Sequence, residues 1–542
     1  MLTRKSGWLT ATAVAGVAVL TLSGCTTSSG GGGDSGGGGG ALTVGTTDKV
    51  TSLDPAGSYD NGSFVVMNQI YPFLMNSTPG SAEPKPDIAE SADFTEPTKY
   101  EVKLKSGLKW SNGNELTSSD VKFTFDRQLK IADENGPSSL LGSIDNIETP
   151  DDTTVVFNLK QANDQTFPQV LTSPAGPIVD EDVFSPDAVT PDQEIIDGKA
   201  FAGPYDITSY KANDLVGYKA NPNYKGLLGA PKTDTVNMKY YTDSNNMKLD
   251  IEKSNIDVAY RSLSPTDVED LGKNDAVSVK KGPGGESRYM VFNFDTQPFG
   301  AKSEDPDEKK AQAVRQAVAD SIDRDAIAKQ VYKGTYTPLY SFVPEGLPGA
   351  TTPLKEKYGD GNGKADADRA KKRLEDAGIN EPVELKLQYS PDHYGPSSGD
   401  EYALIKDQLE KTGMFKVDLQ STEWVQYSED RTADAYPAYQ LGWFPDYSDA
   451  DNYLTPFFTK ENFLANHYDN KEVQDLIAKQ VGITDKAERQ KMLGEIQDKV
   501  ADDLSTIPYL QGAQVAVASK DVKGVEDTLD ASFKLRLGVI AK

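Results

Sequence analysis

The 542-residue chain is poor in the residues on which most catalytic and metal sites depend. It has one cysteine, Cys25, and two histidines, His393 and His467. A single cysteine excludes a disulfide within the chain and a zinc site built from thiolates. Neither histidine lies in a recognisable nucleophile motif, and the sequence contains no HExxH and no GxSxG. We therefore expect no enzyme, no cofactor and no metal. A metal site on either histidine is the less favoured alternative to ordinary surface or core histidines.

Positive charge is also scarce. The chain has 56 Lys and Arg against 83 Asp and Glu, which gives a net charge of −27. So acidic a protein repels the phosphates of nucleic acid, so nucleic acid is excluded as a partner. The excess of carboxylates is most simply explained as a means of keeping the protein in solution.

Long apolar runs are missing except at the N-terminus, and that one is too short to cross a membrane. Residues 8–22, "WLTATAVAGVAVLTL", make a run of 15 residues, where a bilayer needs about 20. Arg4 and Lys5 precede it and "LSGC" follows it. This order predicts a signal peptide over residues 1–24. "LSGC" resembles the bacterial lipobox, in which the cysteine, here Cys25, is lipidated and begins the mature chain.

Residues 25–40 offer almost no side chains for a core. The stretch "TTSSGGGGDSGGGGG" is typical of a flexible tether. About 500 residues follow it, which is more than one hydrophobic core usually serves, so we expect two or three lobes. A lipid, a tether and a large polar body together predict a soluble body held near a membrane.

Helix and strand patterns alternate along the body, which is typical of α/β lobes. Thr117 followed by Asp120 resembles a capping box and predicts a helix that starts near Ser118. From Lys309 onward, apolar residues recur at helical spacing, and we expect one helix that Gly334 ends.

Five segments together resemble the family 5 extracellular solute-binding proteins of ABC importers, which include dipeptide- and oligopeptide-binding proteins. They follow one another in the family's order from about residue 42 to 526. Ser111 in "KWSNG" and Ala202 in "FAGPY" depart from the family's usual residues without affecting the expected fold. The segments are "YEVKLKSGLKWSNGNELTSSDVKFTFDR", "FAGPYDITSYKANDLVGYKANPNY", "YMVFNF" with "AVRQAVADSIDRDAIAKQVYKG", "RAKKRLEDAG" and "IPYLQGAQVAVASKDVKGV".

The resemblance implies an α/β protein with the two-lobed type II fold of periplasmic binding proteins and an extra inserted lobe. Two crossing segments would join the lobes, which close on the ligand by a hinge motion. The implied boundaries are 41–80, 200–290 and 509–542 for lobe I, 81–199 for the inserted lobe II, and 291–508 for lobe III.

The stretch "GWFPDY", residues 442–447, is similar to a family motif, GW..DY, whose aspartate pairs with the α-ammonium group of a peptide. This puts that role on Asp446. The residues themselves support it, because a carboxylate among aromatics stays charged in a closed cleft only if a cation meets it. The alternative is that Asp446 caps a turn after Pro445.

Further ligand contacts are expected close to this motif. Asp449 and Asp451 are interpreted as helix caps rather than ligand contacts, and Arg288, Arg315 and Arg431 are open candidates for the ligand carboxylate, of which Arg315 is better explained as structural. The expected contacts, each with core packing or a turn as its alternative, are Gly442, Trp443, Tyr447 and, more weakly, Trp424.

The predicted function is a monomeric lipoprotein that captures short peptides and delivers them to an ABC permease with a separate ATPase. It would act at the extracytoplasmic face of the membrane, on the periplasmic side in a Gram-negative cell. The alternatives are the same fold binding an oligosaccharide, nickel chelate or opine, and a surface receptor that transports nothing. The sequence does not decide the peptide length or side-chain preference.

Overall fold

The computed structural model describes residues 40–261, 263–395 and 397–542. The predictions of a signal peptide, of a lipidated Cys25 and of a tether lie outside the described residues, apart from Gly40 at the end of the tether. Within the described part, no helix is long and apolar enough to span a bilayer.

The strands are numbered along the chain. They are β1 (Leu42–Thr46), β2 (Met75–Asn76), β3 (Lys85–Pro86), β4 (Ala89–Glu96), β5 (Lys99–Leu104), β6 (Ile144–Asp151), β7 (Thr154–Leu159), β8 (Tyr205–Lys211), β9 (Leu215–Ala220), β10 (Thr235–Tyr240), β11 (Val258–Tyr260), β12 (Val277–Phe292), β13 (Tyr336–Pro338), β14 (Val383–Tyr389), β15 (Phe415–Ser421), β16 (Ala438–Trp443) and β17 (Thr506–Ser519).

The α-helices alternate with these strands. They are α1 (Asn61–Ile70), α2 (Ser118–Ile131), α3 (Phe167–Val170), α4 (Asp192–Asp197), α5 (Ser244–Glu252), α6 (Pro265–Leu271), α7 (Glu308–Ser321), α8 (Arg324–Gln330), α9 (Pro353–Lys357), α10 (Ala367–Asp376), α11 (Ser398–Glu410), α12 (Trp424–Thr432), α13 (Thr455–Phe458), α14 (Lys471–Gln480) and α15 (Lys486–Asp503). Short 3₁₀-helices cover Pro55–Gly57, Ser138–Leu141, Ala450–Tyr453, Glu526–Thr528 and Leu537–Val539.

Local capping decides where α2 and α8 begin. The capping box of α2 is confirmed, since the Asp120 carboxylate accepts from the backbone N–H of Thr117 at 2.8 Å. The single helix expected from Lys309 is wrong, because the chain forms α7 and then α8. The backbone leaves the helical region at Ile322, and the Asp323 side chain caps α8 by accepting from the N–H of Ala326 at 2.8 Å.

The largest sheet has eleven strands, in the order β15-β14-β16-β12-β17-β11-β1-β10-β9-β8, with β13 paired to β17. Its centre is made by β12 and β17, which pair antiparallel along most of their length. One end of β12 also pairs with β16, and the opposite end of β17 pairs with β11. These two strands, hereafter the crossing strands, therefore belong to both halves of the sheet.

Close packing fixes the middle of the crossing strands. The pairing of β12 with β17 is irregular between Pro283 and Ser287. A side chain on Gly282 would collide with the carbonyl of Leu529, and one on Gly284 would collide with that of Gly512. Glycine is therefore required where the sheet changes from one half to the other.

Separate apolar cores lie on the parts of this framework. One surrounds β1, β8–β10 and α1, with Leu42, Val66 and Met238 buried in it. A second lies where the four-stranded sheet β4-β5-β7-β6 packs on α2, around Val102 and Phe125. A third packs α7, α10 and α11 beside β14 and β15. The crossing strands run through the boundaries expected near residues 290 and 508, and the lobe boundaries stay a prediction.

Candidate functional site

A cavity of about 1120 Å³ lies beside the crossing strands. Its walls come from the loop before α1, the loop after β11, both crossing strands, the loop after β14 and the loop after β16. Because these segments belong to both halves of the large sheet, the cavity lies between the halves.

Asp446 lies in the wall of this cavity, and its partners there are neutral. The amide of Asn452 donates to Asp446 Oδ2 at 2.9 Å, and the hydroxyl of Tyr59 donates to Asp446 Oδ1. The side-chain oxygen of Asn452 accepts from the Asp446 N–H at 2.9 Å and from Trp443 Nε1 at 3.0 Å. Asn452 therefore fixes both the carboxylate and the neighbouring indole.

The environment of Asp446 disfavours an unpaired charge. Burial raises the pKa of the Asp446 carboxyl, and the hydrogen bonds from Asn452 and Tyr59 only partly oppose that shift. Among the described residues, no backbone N–H donates to this carboxylate, so it does not cap the turn after Pro445. The carboxylate therefore has two neutral partners, and Asp446 is one of the residues that line the cavity.

The two carboxylates that follow are satisfied inside the protein. Asp449 caps the 3₁₀-helix Ala450–Tyr453, as predicted, and forms a two-pronged ion pair with Arg489 at 2.8 and 2.7 Å. The prediction that Asp451 is a cap is wrong, because its carboxylate accepts from side chains. Tyr447 Oη donates at 3.0 Å, Thr455 Oγ1 at 2.5 Å, and Gln480 Nε2 also donates.

Tyr447 is thereby separated from the other four expected ligand contacts. It does not line the cavity, whereas Gly442, Trp443, Trp424 and Asp446 do. A side chain on Gly442 would lie 2.9 Å from the ring of Tyr394, so this glycine allows that ring to approach the strand. The ligand-binding roles of all five residues stay predictions.

Aromatic rings form two groups in the cavity wall. The Trp424 ring stacks on His393 with 3.7 Å between centroids and 7° between planes, and Tyr394 meets Trp424 edge-on at 5.6 Å. Trp443 packs on Phe463 with centroids 5.7 Å apart. His393 and Tyr394 carry no sequence signal for this role, since they meet Trp424 only through the pairing of β14 with its neighbours.

The three arginines considered for the ligand carboxylate are placed differently. Arg288 lines the cavity, but it is buried and donates to the Tyr394 carbonyl at 2.6 Å, Tyr336 Oη at 3.1 Å and Glu401 at 3.3 Å. Arg315 and Arg431 do not line the cavity, and each donates to a backbone carbonyl of the fold. A fourth arginine, Arg261, does line it, although no sequence motif around Arg261 indicates such a position.

A family model and a curated relative each match most of the chain. A family model described as "Bacterial extracellular solute-binding proteins, family 5 Middle" matches residues 83–464. The dipeptide-binding protein DppE of Bacillus subtilis (strain 168) is 25% identical over 514 residues, which cover 89% of each chain.

Solved structures show the same fold. The ABC transporter substrate-binding protein CtaP of Listeria monocytogenes superimposes with a TM-score of 0.76 at 24% identity, covering 93% of this chain and 99% of that one. DppA of Helicobacter pylori, a periplasmic binding protein solved in complex with the peptide STSA, gives a TM-score of 0.70 at 21% identity over 93% and 98% of the two chains. The predicted mixed α/β fold with three lobes is confirmed.

Proposed function

The chain belongs to family 5 of the bacterial extracellular solute-binding proteins, and we propose that it captures short peptides for import. Membership confirms that the protein binds solutes outside the cytoplasm and is not an enzyme. What we propose beyond family membership is the identity of the ligand, the membrane partners and the lipid anchor.

The observation that carries the peptide proposal is the unpaired charge of Asp446. Its partners among the described residues, Asn452 and Tyr59, are neutral, and burial opposes its ionisation. A peptide N-terminus would bring a positive charge and up to three N–H donors to this carboxylate. A ligand without a cation would leave the carboxylate buried and unpaired, at a cost of about 3–5 kcal/mol.

The size of the cavity supports a ligand of several residues. At about 1120 Å³, it exceeds the roughly 300–1,000 Å³ of ordinary small-molecule pockets. The printed name of DppE and the peptide bound by DppA of Helicobacter pylori also favour peptides. An opine or a nickel chelate would use the same fold without requiring this size.

An oligosaccharide is the second candidate, because of the aromatic wall. Trp424, stacked on His393, and Trp443 present ring surfaces of the kind on which sugars pack. That reading gives no role to the charge of Asp446, so we favour peptides.

The delivery route forms part of the proposal. We expect the loaded protein to pass its ligand to an ABC permease driven by a separate ATPase, as a monomer held by a lipid on Cys25. The Gly-rich residues after Cys25 would allow a reach of roughly 20 Å from the membrane. A surface receptor without a permease is the alternative, and a neighbouring permease gene would argue against it.

The test is to identify what the protein carries out of the cell. The full-length protein is purified in mild detergent without unfolding, then denatured, and the released small molecules are identified by mass spectrometry. We expect a mixture of short peptides, and we expect the Asp446→Asn protein, purified in parallel, to release none. A single sugar, opine or metal chelate from the wild type would overturn the peptide proposal.

A further inference from the structure

We propose that Arg261 binds a carboxylate of the ligand, so that the cavity recognises a peptide by both of its charged ends. The inference rests on the proposed function, because it assigns the second end of the peptide whose ammonium group is placed on Asp446. Arg261 follows β11 directly and lines the same cavity as Asp446.

The fold holds Arg261 in a constrained position. Its backbone has a φ of 59°, in the left-handed region that arginine rarely adopts, and its N–H donates to the carbonyl of Val515 at 3.2 Å. Its guanidinium lies over the rings of Phe533, at 5.5 Å, and Phe444, at 5.9 Å. Strained backbone at a cavity wall is typical of functional sites.

The Arg261 guanidinium is mostly removed from solvent, yet it makes no hydrogen bond to any described residue. Its side chain is 21% exposed. Within the described part of the chain, no atom accepts a hydrogen bond from it, and the one carboxylate in ion-pair range is Asp48, whose Oδ2 lies 3.4 Å from Nη1. That oxygen is itself buried without a hydrogen bond. Five N–H donors so placed call for an acceptor, and the cavity is where one can enter.

Arg288 provides the contrast within the same cavity. Its guanidinium already donates to Tyr394, Tyr336 and Glu401, and Glu286 lies 3.4 Å from its Nε. A ligand carboxylate would have to displace these partners. Arg261 has no hydrogen-bond acceptor to displace among the described residues, and the one carboxylate in ion-pair range there is Asp48, 3.4 Å from Nη1. Its planar fork matches a carboxylate in two-pronged geometry.

The two assignments together define a ligand class. A peptide with a free N-terminus and a free carboxylate would satisfy Asp446 and Arg261 at once. Blocking either end should leave the corresponding side chain unpaired, and the two losses should be separable. The carboxylate could belong to the C-terminus or to an acidic side chain, and the C-terminus is the source we infer.

The experiment is isothermal titration of defined peptides into the full-length protein. The probes are di-, tri- and tetra-alanine and their leucine-containing counterparts, each as the free acid and as the C-terminal amide, with Ala-Glu-Ala amide as the side-chain arm. We expect the wild type to bind the acids at least about tenfold more tightly than the amides. Arg261→Gln should weaken the acids to the level of the amides, and Asp446→Asn should keep the preference for acids.

Two controls address folding. Arg369→Gln removes an arginine outside the cavity that donates to the carbonyls of Gly359 and Lys357, and it should leave the acid preference unchanged. Arg261→Lys retains the charge and should keep part of the preference. Thermal melting is measured for every variant, and the wild-type comparison of acids with amides stands even if Arg261→Gln does not fold.

The possible failures are distinct. Equal binding of acids and amides by the wild type, or equal weakening of both by Arg261→Gln, would overturn the role of Arg261 while the peptide proposal survives. Tight binding of Ala-Glu-Ala amide with loss of that binding in Arg261→Gln would move the source of the carboxylate to a side chain and overturn the C-terminal assignment. No binding of any peptide by the wild type would overturn both proposals.

Discussion

Asp446 and Asp451 belong to one acidic stretch, yet the protein treats the two carboxylates in opposite ways. Asp451 is fully enclosed and accepts from Tyr447, Thr455 and Gln480. Asp446 is half-buried in the cavity wall, and its donors among the described residues are Asn452 and Tyr59. The difference shows that acid density in a sequence does not by itself identify a binding carboxylate. What marks one is an incomplete set of donors beside open space.

The largest effect on stability is expected from Arg489→Ala, which removes the ion partner of Asp449 beside the enclosed Asp451. Asp449 would remain buried without its ion partner and next to Asp451, which should lower the free energy of unfolding by about 3–5 kcal/mol. Urea denaturation measures the change, and peptide affinity of the folded protein should stay near the wild-type value. Adding Asp449→Asn should recover part of the loss. An unchanged stability would contradict the importance of this pair.

Asp446→Asn should produce the opposite pattern. The fold should be retained, because the carboxylate has neutral partners that an amide can also engage, whereas peptide affinity should fall at least about 100-fold. Titration of the same peptides into both proteins measures this, with N-acetylated peptides as the control that should bind both weakly. Unchanged affinity would remove the assigned role from Asp446.

Asp451 adds a pH dependence to the comparison. Burial, and then the charge of Asp449, raise its pKa to about 6, against about 3.9 in an unfolded chain. The folded state therefore binds the proton more tightly, so this group opposes folding above pH 6 and ceases to do so as the pH falls towards 4.

The stability difference between wild type and Asp451→Asn should accordingly change by at most about 3 kcal/mol between pH 7 and pH 4, in favour of the wild type at the lower pH. Urea denaturation of both proteins across this pH range gives the difference in stability. The contributions of the other titrating groups are common to both proteins and cancel in that difference. A difference that does not vary with pH would show that Asp451 titrates as it does in the unfolded chain.

The smallest effect is expected from Tyr59→Phe. The Tyr59 hydroxyl occupies an oxygen of Asp446 that a ligand ammonium also needs, so its removal should tighten peptide binding by about 1 kcal/mol, or roughly fivefold. Titration with one tripeptide suffices, and Tyr439→Phe, whose hydroxyl donates to the Leu464 carbonyl away from the cavity, is a matched control. A loss as large as that of Asp446→Asn would instead make Tyr59 part of the binding site.

Local patterns predicted much of the fold and part of the site. The capping box of Thr117 and Asp120 predicted the start of α2 correctly, because its two partners lie within one helical turn. The motif around Asp446 could be found from the sequence because it places a carboxylate among aromatic residues. The break between α7 and α8 was missed, because helical periodicity continues through Ile322 while the capping preference of Asp323 decides the backbone.

The missed site residues share a different cause. Tyr59 lies 387 positions from Asp446, and Arg261 reaches the cavity through the pairing of β11 with β1 and β17. Periodicity and local spacing do not predict such long-range contacts, because the contacts follow from the order of the strands in the large sheet. A tyrosine or an arginine after a short strand can have many roles, and the topology of the fold determines whether it reaches the cavity.

The crossing strands also bear on when the protein can fold. β17, residues Thr506–Ser519, is inserted between β12 and β11 at the centre of the large sheet, although it comes late in the chain. Until it arrives, β12 and β11 present open edges to each other, and the halves they belong to cannot join. A chain still being made or exported therefore lacks its middle strand. The order of the sheet thus delays completion of the fold until nearly the whole chain is available, which suits a protein that acts outside the cytoplasm.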